Sequence, residues 1–265
     1  MPRVGPNQNN LSVGAGIVLV EPFDANGVGQ GLRHLGNVDS LSITIAADVL
    51  TKYSSMNHSK GLYAEISRRV NGSFAINSSE FIDETVRMAF LGTRARLVQA
   101  ATAVVDEAVT TAFTAGEEFY FRTAKLGPVT AVSMKFNAVT GVLGTDYEIV
   151  NAEIGLIRIL PTTTKVGPVL VSYTPTAYTS TTGPTVIAAG TMPIVKARIL
   201  YLGDNLSGPS RLIEIWKTSI RPDGAHDLIS DDFGSVKLTG AIYDDSVNHP
   251  TSPFFNDTWY GDALP

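Results

Sequence analysis

Three stretches of period-two alternation constrain what this chain can fold into more than any other feature. In Ser40–Asp48, Leu41, Ile43, Ile45 and Ala47 fall on one side, and Ser42, Thr44, Ala46 and Asp48 on the other. In Leu62–Ile76, Ala64, Ile66, Arg68, Val70, Gly72, Phe74 and Ile76 oppose Glu65, Ser67, Arg69, Asn71, Ser73 and Ala75. In Ser235–Tyr243, Val236, Leu238, Gly240 and Ile242 oppose Ser235, Lys237, Thr239, Ala241 and Tyr243. Alternation with one polar face marks a half-buried strand. One residue breaks the pattern: Arg68 stands at an apolar position.

The rest of the chain reads as strand and loop, punctuated by 24 glycines and 14 prolines. Residues 1–13 read as an extended arm, Gly14–Val20 as a short strand, and Gly27–Gly31 as a hairpin loop introduced by Asn26-Gly27. Val49–Gly61 reads as a long polar connection. One helix is expected over Glu80–Leu91, capped by Ser79 and stopped by Gly92, with Ile82, Val86, Ala89 and Phe90 as its apolar stripe. Five short strands follow, Glu118–Ala124, Thr130–Phe136, Tyr147–Val150, Leu156–Leu160 and Val169–Tyr173, spaced as in a small antiparallel sandwich. Ile194–Leu202 and Arg211–Ser219 are strands of a second set, and the proline-bearing tail after Asp244 reads as irregular. The fold class is therefore mainly β: a sandwich or barrel domain with one flanking helix, over residues 1–112 and 179–265, interrupted by a small β-sandwich over 113–178.

Composition closes off several functions. With no cysteine there is no disulfide, thiolate metal site or cysteine nucleophile. A net charge of −5 gives no basic footprint for gripping nucleic acid. No apolar run approaches the length of a membrane span, and the polar start lacks the apolar centre of a signal peptide. Gly27–Gly31 lacks the lysine and the following helix of a phosphate loop, and neither a serine elbow nor a histidine pair of zinc spacing occurs. No catalytic, cofactor or metal residue is assigned. The best acidic group, Asp223, Asp227, Asp231 and Asp232 around His226, reads as a solvated loop, with a cation-assisted hydrolase as its remote alternative. Phe254, Phe255, Trp259 and Tyr260 near the end either pack on the fold or dock on a neighbouring subunit.

The order of these segments resembles the major tail tube proteins of long-tailed bacteriophages. The resemblance is carried by Gly16-Ile-Val-Leu-Val-Glu-Pro-Phe-Asp24, Gly31-Leu-Arg-His-Leu-Gly-Asn37, Ser40-Leu-Ser-Ile-Thr-Ile45, Tyr53-Ser-Ser-Met56 and Gly72-Ser-Phe-Ala-Ile76 before Ser79–Gly92. The return segment adds Leu200-Tyr-Leu-Gly-Asp-Asn-Leu-Ser-Gly-Pro209, Ile220-Arg-Pro-Asp-Gly224 and Ser235-Val-Lys-Leu-Thr-Gly240. Gly144–Ile149 through Val171–Tyr173 resembles the extra, Ig-like β-domain of some members. The resemblance implies a structural, non-enzymatic virion protein, assembled in the host cytoplasm into six-membered rings that stack as a hollow tail tube. Its partners would be further copies of itself, tail-tip initiator and terminator proteins, and double-stranded DNA passing without specific binding. Four strands from each of six subunits, about 4.8 Å apart and tilted about 40°, close a barrel about 48 Å across at the backbone, wide enough for duplex DNA.

In that scheme the lumen face holds Ser42, Thr44, Asp48, Glu65, Ser67, Arg69, Asn71, Ser73, Lys237 and Thr239, and the core face Leu41, Ile43, Ile45, Ile66, Val70, Phe74, Val236, Leu238 and Ile242. Two acids and two bases leave the lumen face neutral, whereas a DNA conduit is expected to repel phosphate. Either some bases lie at subunit contacts or loops supply the acidic lining. The inter-ring contact falls on the loop with Tyr53, Ser54, Ser55, Met56, Asn57, His58 and Lys60. The rival expectation is a monomeric β-sandwich binding module, carbohydrate-binding or adhesin-like, with an aromatic site at Trp216 or Trp259.

Overall fold

The computed structural model describes residues 12–56 and 58–260. The protein is mainly β, 51% strand and 3% helix. In chain order the elements are β1 (Gly16–Pro22), β2 (Arg33–His34), β3 (Val38–Tyr53), β4 (Leu62–Ser78), α1 (Asp83–Ala89), β5 (Thr93–Arg96), β6 (Val104–Thr110), β7 (Phe119–Arg122) and β8 (Val129–Phe136). They continue with β9 (Val139–Thr140), β10 (Tyr147–Asn151), β11 (Leu156–Ile159), β12 (Val169–Pro175), β13 (Thr185–Ala188), β14 (Val195–Gly203), β15 (Arg211–Pro222), β16 (Val236–Ile242) and β17 (Phe255–Trp259). The chain divides into two compact units: Ala95–Val186, and the residues on either side of it.

The outer unit is built on one antiparallel sheet in the order β2-β1-β14-β15-β16-β4-β3, with β17 added to β15. β15 takes β17 along Arg211–Ile215 and β16 along Thr218–Pro222. Alternation drives the burial. Val18 and Val20 of β1, Ile199 of β14, Ile215 and Ile220 of β15, Leu238 of β16, and Phe74 and Ile76 of β4 all enter one core. Gly240 lies opposite Phe74, and a Cβ there would sit 2.7 Å from the phenyl ring and 1.8 Å from the Ser219 carbonyl oxygen. The absent side chain is what lets the ring lie against the strand. Leu238 is fully buried in this core. Leu238→Ala is expected to destabilise the unit by about 3 kcal/mol, seen as a lower denaturant midpoint at unchanged slope.

The core side is open along one edge. Leu41 and Ile43 of β3 are half-buried rather than buried, and with Ile45, Ile213 and Phe255 they line a cleft of about 530 Å³. Phe254 and Phe255 pack against the core. The segment after Asp244 is therefore not irregular throughout, because Phe255–Trp259 pairs with β15 as β17. Of the expected N-terminal arm, residues 1–11 lie outside the described residues, and Val13 bridges Ser207.

The helix is shorter than its pattern suggests. α1 begins at Asp83 with no side-chain cap. Ser79 and Glu80 are engaged elsewhere: the Ser79 hydroxyl donates to Asp39 at 2.9 Å, and the Glu80 carboxylate accepts from the Asn37 N–H at 2.8 Å. The buried residues are Glu84, Thr85, Arg87 and Met88; of the expected stripe Ala89 packs against the core, while Ile82 and Val86 are half-buried and Phe90 is exposed. Glu84 pairs with Arg87 one turn on and with Arg33 at 2.8 Å, so its buried carboxylate is neutralised from two sides. Met88 reaches the core.

The inserted unit has its own core, formed by Met134, Phe136, Ile157, Ile159, Val169, Val171 and neighbours, between a β6-β12-β8-β9 sheet and a β10-β11-β7 sheet. All five strands expected here are present. The unit also contains β6, which pairs with β12, so it begins well before residue 113 and runs past 178. Asp146 is buried in it. Burial pushes its carboxyl up, but Lys165 at 2.5 Å, the Thr163 hydroxyl at 2.7 Å and the Val142 N–H at 2.7 Å outweigh that and hold it below its ordinary 3.8. A depressed folded value means stability that is present above about pH 4 and lost as the pH falls through the folded value. The melting temperature of this unit, followed by calorimetry, is expected to fall below pH 4, and Asp146→Asn is expected to be less stable at pH 7 and to flatten that fall.

Candidate functional site

The second half of β15, then β16, β4 and β3, form four adjacent strands whose outer face is exposed. The register fixes which side chains share it. One row across the strands reads Ser219, Ala241, Ser73 and Thr44; the next reads Arg221, Thr239, Ala75 and Ser42. Lys237 and Asn77 sit beyond, beside Ser40, and Asn71 lies opposite Ala46. Small hydroxyl, amide and methyl groups thus pave the middle of the sheet. Of the expected lumen residues, Ser42, Thr44, Asp48, Arg69, Asn71, Ser73, Lys237 and Thr239 share this face.

Glu65 and Ser67 do not. The pairing runs Asp48↔Arg69 and then Val49↔Ser67, so Arg68 is an extra residue in β4. This bulge lets both arginines reach one carboxylate, Arg68 at 3.2 Å and Arg69 at 3.4 Å from Asp48. Beyond it the parity of β4 flips. Glu65 pairs with Thr51 and Ser67 with Val49, on the side continuous with Leu41 and Ile43, while Ile66 pairs with Leu50 on the polar side. The consequence is electrostatic. With Glu65 gone, Asp48 on these strands faces Arg68, Arg69, Lys217, Arg221 and Lys237, so the face is cationic rather than neutral. Arg221 and Lys237 have no ion-pair partner among the described residues, while Lys217 lies 3.7 Å from Asp245.

β3 and β4 then outrun the sheet. β16 accompanies β4 only as far as Gly72, so Ala46–Tyr53 and Leu62–Asn71 pair with each other alone. This arm extends about 25–30 Å. None of its described residues is buried, on either face. Leu50, Tyr53, Leu62, Tyr63 and Ile66 are each more than half exposed, and Met56 at the tip is 92% exposed. The expected polar connection Val49–Gly61 is thus strand as far as Tyr53, and the turn is confined to 54–61. Of the inter-ring candidates, Tyr53 stands on the strand, Ser54, Ser55, Met56, His58 and Lys60 on the turn, and Asn57 outside the described residues.

The other candidates resolve differently. Among the described residues no group of three His, Asp or Glu side chains is placed to hold a metal ion, so Asp223, Asp227, Asp231, Asp232 and His226 are not gathered into one. The Trp216 ring is stacked under His249 at 3.7 Å, with Arg198 5.8 Å from it, and Arg211 lies 4.7 Å from the Trp259 ring. Faces on which a sugar would stack are therefore partly covered from within. No helix among the described residues is long and apolar enough to cross a membrane.

The fold thus presents a β-domain with an open, polar, four-stranded face, drawn out into a two-stranded arm with exposed apolar side chains. By sequence the chain belongs to the family described as protein of unknown function UCP028589, whose model matches residues 11–256. No curated protein matches it.

Proposed function

We propose that this chain is a structural subunit of a phage tail tube, in which rings of six copies stack around a channel that conducts genomic DNA. The observation that carries the reading is the arm. A two-stranded hairpin is marginal in water by itself, and exposed apolar side chains at this density mark a contact surface. An arm with both faces exposed is suited to being sandwiched between neighbours. Three further features support the reading. The four-stranded face matches in strand number what each subunit contributes to the barrel that the resemblance implies. The outer edge of β3 is unpaired, as a strand joining a neighbour's sheet requires. The cleft beside β3 leaves the core side incomplete in a single copy.

The cationic face attracts phosphate rather than repelling it. In this reading some of its cations therefore lie at subunit contacts. Electron microscopy of the purified chain, dilute and concentrated, tests the proposal. Hollow tubes or six-fold rings support it. Uniform small particles at every concentration, persisting when a tail-tip seed is added, overturn it in favour of a free β-sandwich binding module.

A further inference from the structure

The loop between β15 and β16 has no part in the sheet, the core or the open face, yet it exposes three large apolar side chains. Its base is clamped. The His226 ring lies 5.1 Å from Phe81 and 5.5 Å from Phe90, and Gly234 abuts Phe81 so closely that a Cβ would meet the ring at 2.7 Å. Between these clamps the chain projects as a finger: Leu228 is 82% exposed, and Ile229 and Phe233 are each 96% exposed. From Asp223 to Gly234 it carries four carboxylates, Asp223, Asp227, Asp231 and Asp232, and no lysine or arginine. None of the four has an ion-pair partner among the described residues, and anchoring by His226 holds three large apolar side chains in water.

The arm is its complement. Between Asp48 and Arg69 it carries Lys52, Lys60, Arg68 and Arg69 against Asp48 and Glu65, with its own exposed apolar side chains interspersed. Asp48 is already held by the two arginines, and Lys52 and Lys60 near the tip have no ion-pair partner among the described residues. The two surfaces cannot meet within one molecule. The finger ends where Val236 pairs with Ser78, at one end of β4, and the arm tip lies past Leu62 at the other end. Seventeen extended residues place them on the order of 50 Å apart.

From this juxtaposition we infer that the acidic apolar finger Asp223–Gly234 receives the basic apolar arm of a second copy. Such a contact joins unlike surfaces at opposite ends of the same strands. It therefore leaves a free arm at one end and a free finger at the other, and it repeats head to tail, as stacking of one ring on the next requires. Opposite charge at the rim sets register and speeds encounter, while the apolar side chains supply the buried centre. The inference rests on the tube reading and names the surface that the arm of one ring meets on the next.

Charge exchange tests it. Lys52→Asp with Lys60→Asp, and separately Asp231→Lys with Asp232→Lys, are expected to raise at least ten-fold the protein concentration needed for polymer, read by sedimentation and electron microscopy. The four-fold variant is expected to recover most of the wild-type polymer. Wild-type assembly by both one-sided variants, or no recovery in the four-fold variant, overturns the pairing while leaving the tube reading intact. No assembly of the wild-type chain, even with a seed, overturns both. Crosslinking gives a readout independent of growth, because the native chain has no cysteine. Met56→Cys with Ile229→Cys in one chain is expected to give a ladder of disulfide-linked multimers, and either single variant alone no ladder. Tubes without a ladder overturn the inference.

Discussion

Deletion of Ser54–Ser59 leaves a folded subunit that forms no tubes: this is the expected result of shortening the arm at its tip. The cut is gentle by design. Tyr53 and Leu62 are paired, and removing the six residues leaves Lys60-Gly61 between them. Lys60 already has φ 42°, and a two-residue turn with positive φ and glycine second is a favoured hairpin closure. No described residue of the arm is buried, so the melting midpoint is expected to move by less than about 2 °C. Met56, the most exposed apolar residue of the turn, is lost together with the reach of the tip. Polymer yield is expected to fall at least ten-fold at any concentration, with circular dichroism unchanged. Normal tube growth by this variant would remove the arm from assembly and with it the observation that carries the proposed function.

The open face was largely legible in the sequence because its strands alternate. Ser42, Thr44, Asn71, Ser73 and Thr239 could be placed on one side from spacing alone. The error at Glu65 and Ser67 has one cause, a single inserted residue that reverses parity for the rest of the strand. The signal was present: Arg68 is the charged residue that interrupts the apolar side of Leu62–Ile76. Read as the extra residue of a bulge, it would have moved Glu65 off the polar face and exposed the cationic imbalance. The arm was hidden for a related reason. Val49-Leu-Thr-Lys-Tyr53 keeps strand character without a consistent apolar side, because neither of its sides faces the core.

Other misses are non-local. β6 finds its partner only in β12, about sixty to seventy residues away, and β17 follows Pro250 and Pro253 and depends on β15 for its partners. The helix start failed because Ser79 and Glu80, good capping residue types, satisfy groups on the segment Asn37–Asp39 instead. Local pattern found Ala89 of the packed helix face but missed its buried polar residues. A buried Glu84 with Arg87 and Arg33 needs the fold to bring Arg33 across, and no spacing rule supplies that. From its aspartates alone, the finger of Asp223–Gly234 is a solvated loop like any other. What distinguishes it is the exposure of Leu228, Ile229 and Phe233, and exposure is a property of the folded chain.

Excising the inserted unit is expected to leave the outer unit folded and able to assemble. No residue of Ala95–Val186 belongs to the outer core, and the inserted core draws only on residues between Val104 and Tyr173. Each unit therefore buries its apolar surface independently, the condition for folding alone. The connections favour the cut. β5 and β13 pair with each other, and the Leu97 N–H donates to the Pro184 carbonyl at 3.0 Å. Replacing residues 98–183 by an Asn-Gly turn keeps that hydrogen bond and closes the two strands as a hairpin. Calorimetry of the full chain is expected to show two transitions, of which the excised chain retains one. The retained transition should keep its sensitivity to Leu238→Ala and lose the fall below pH 4 assigned to Asp146. The shortened chain is expected to polymerise still, into tubes of the same lumen. An excised chain that is soluble and folded but never polymerises would instead make the insert an assembly element, and the division of labour between the two units would be wrong.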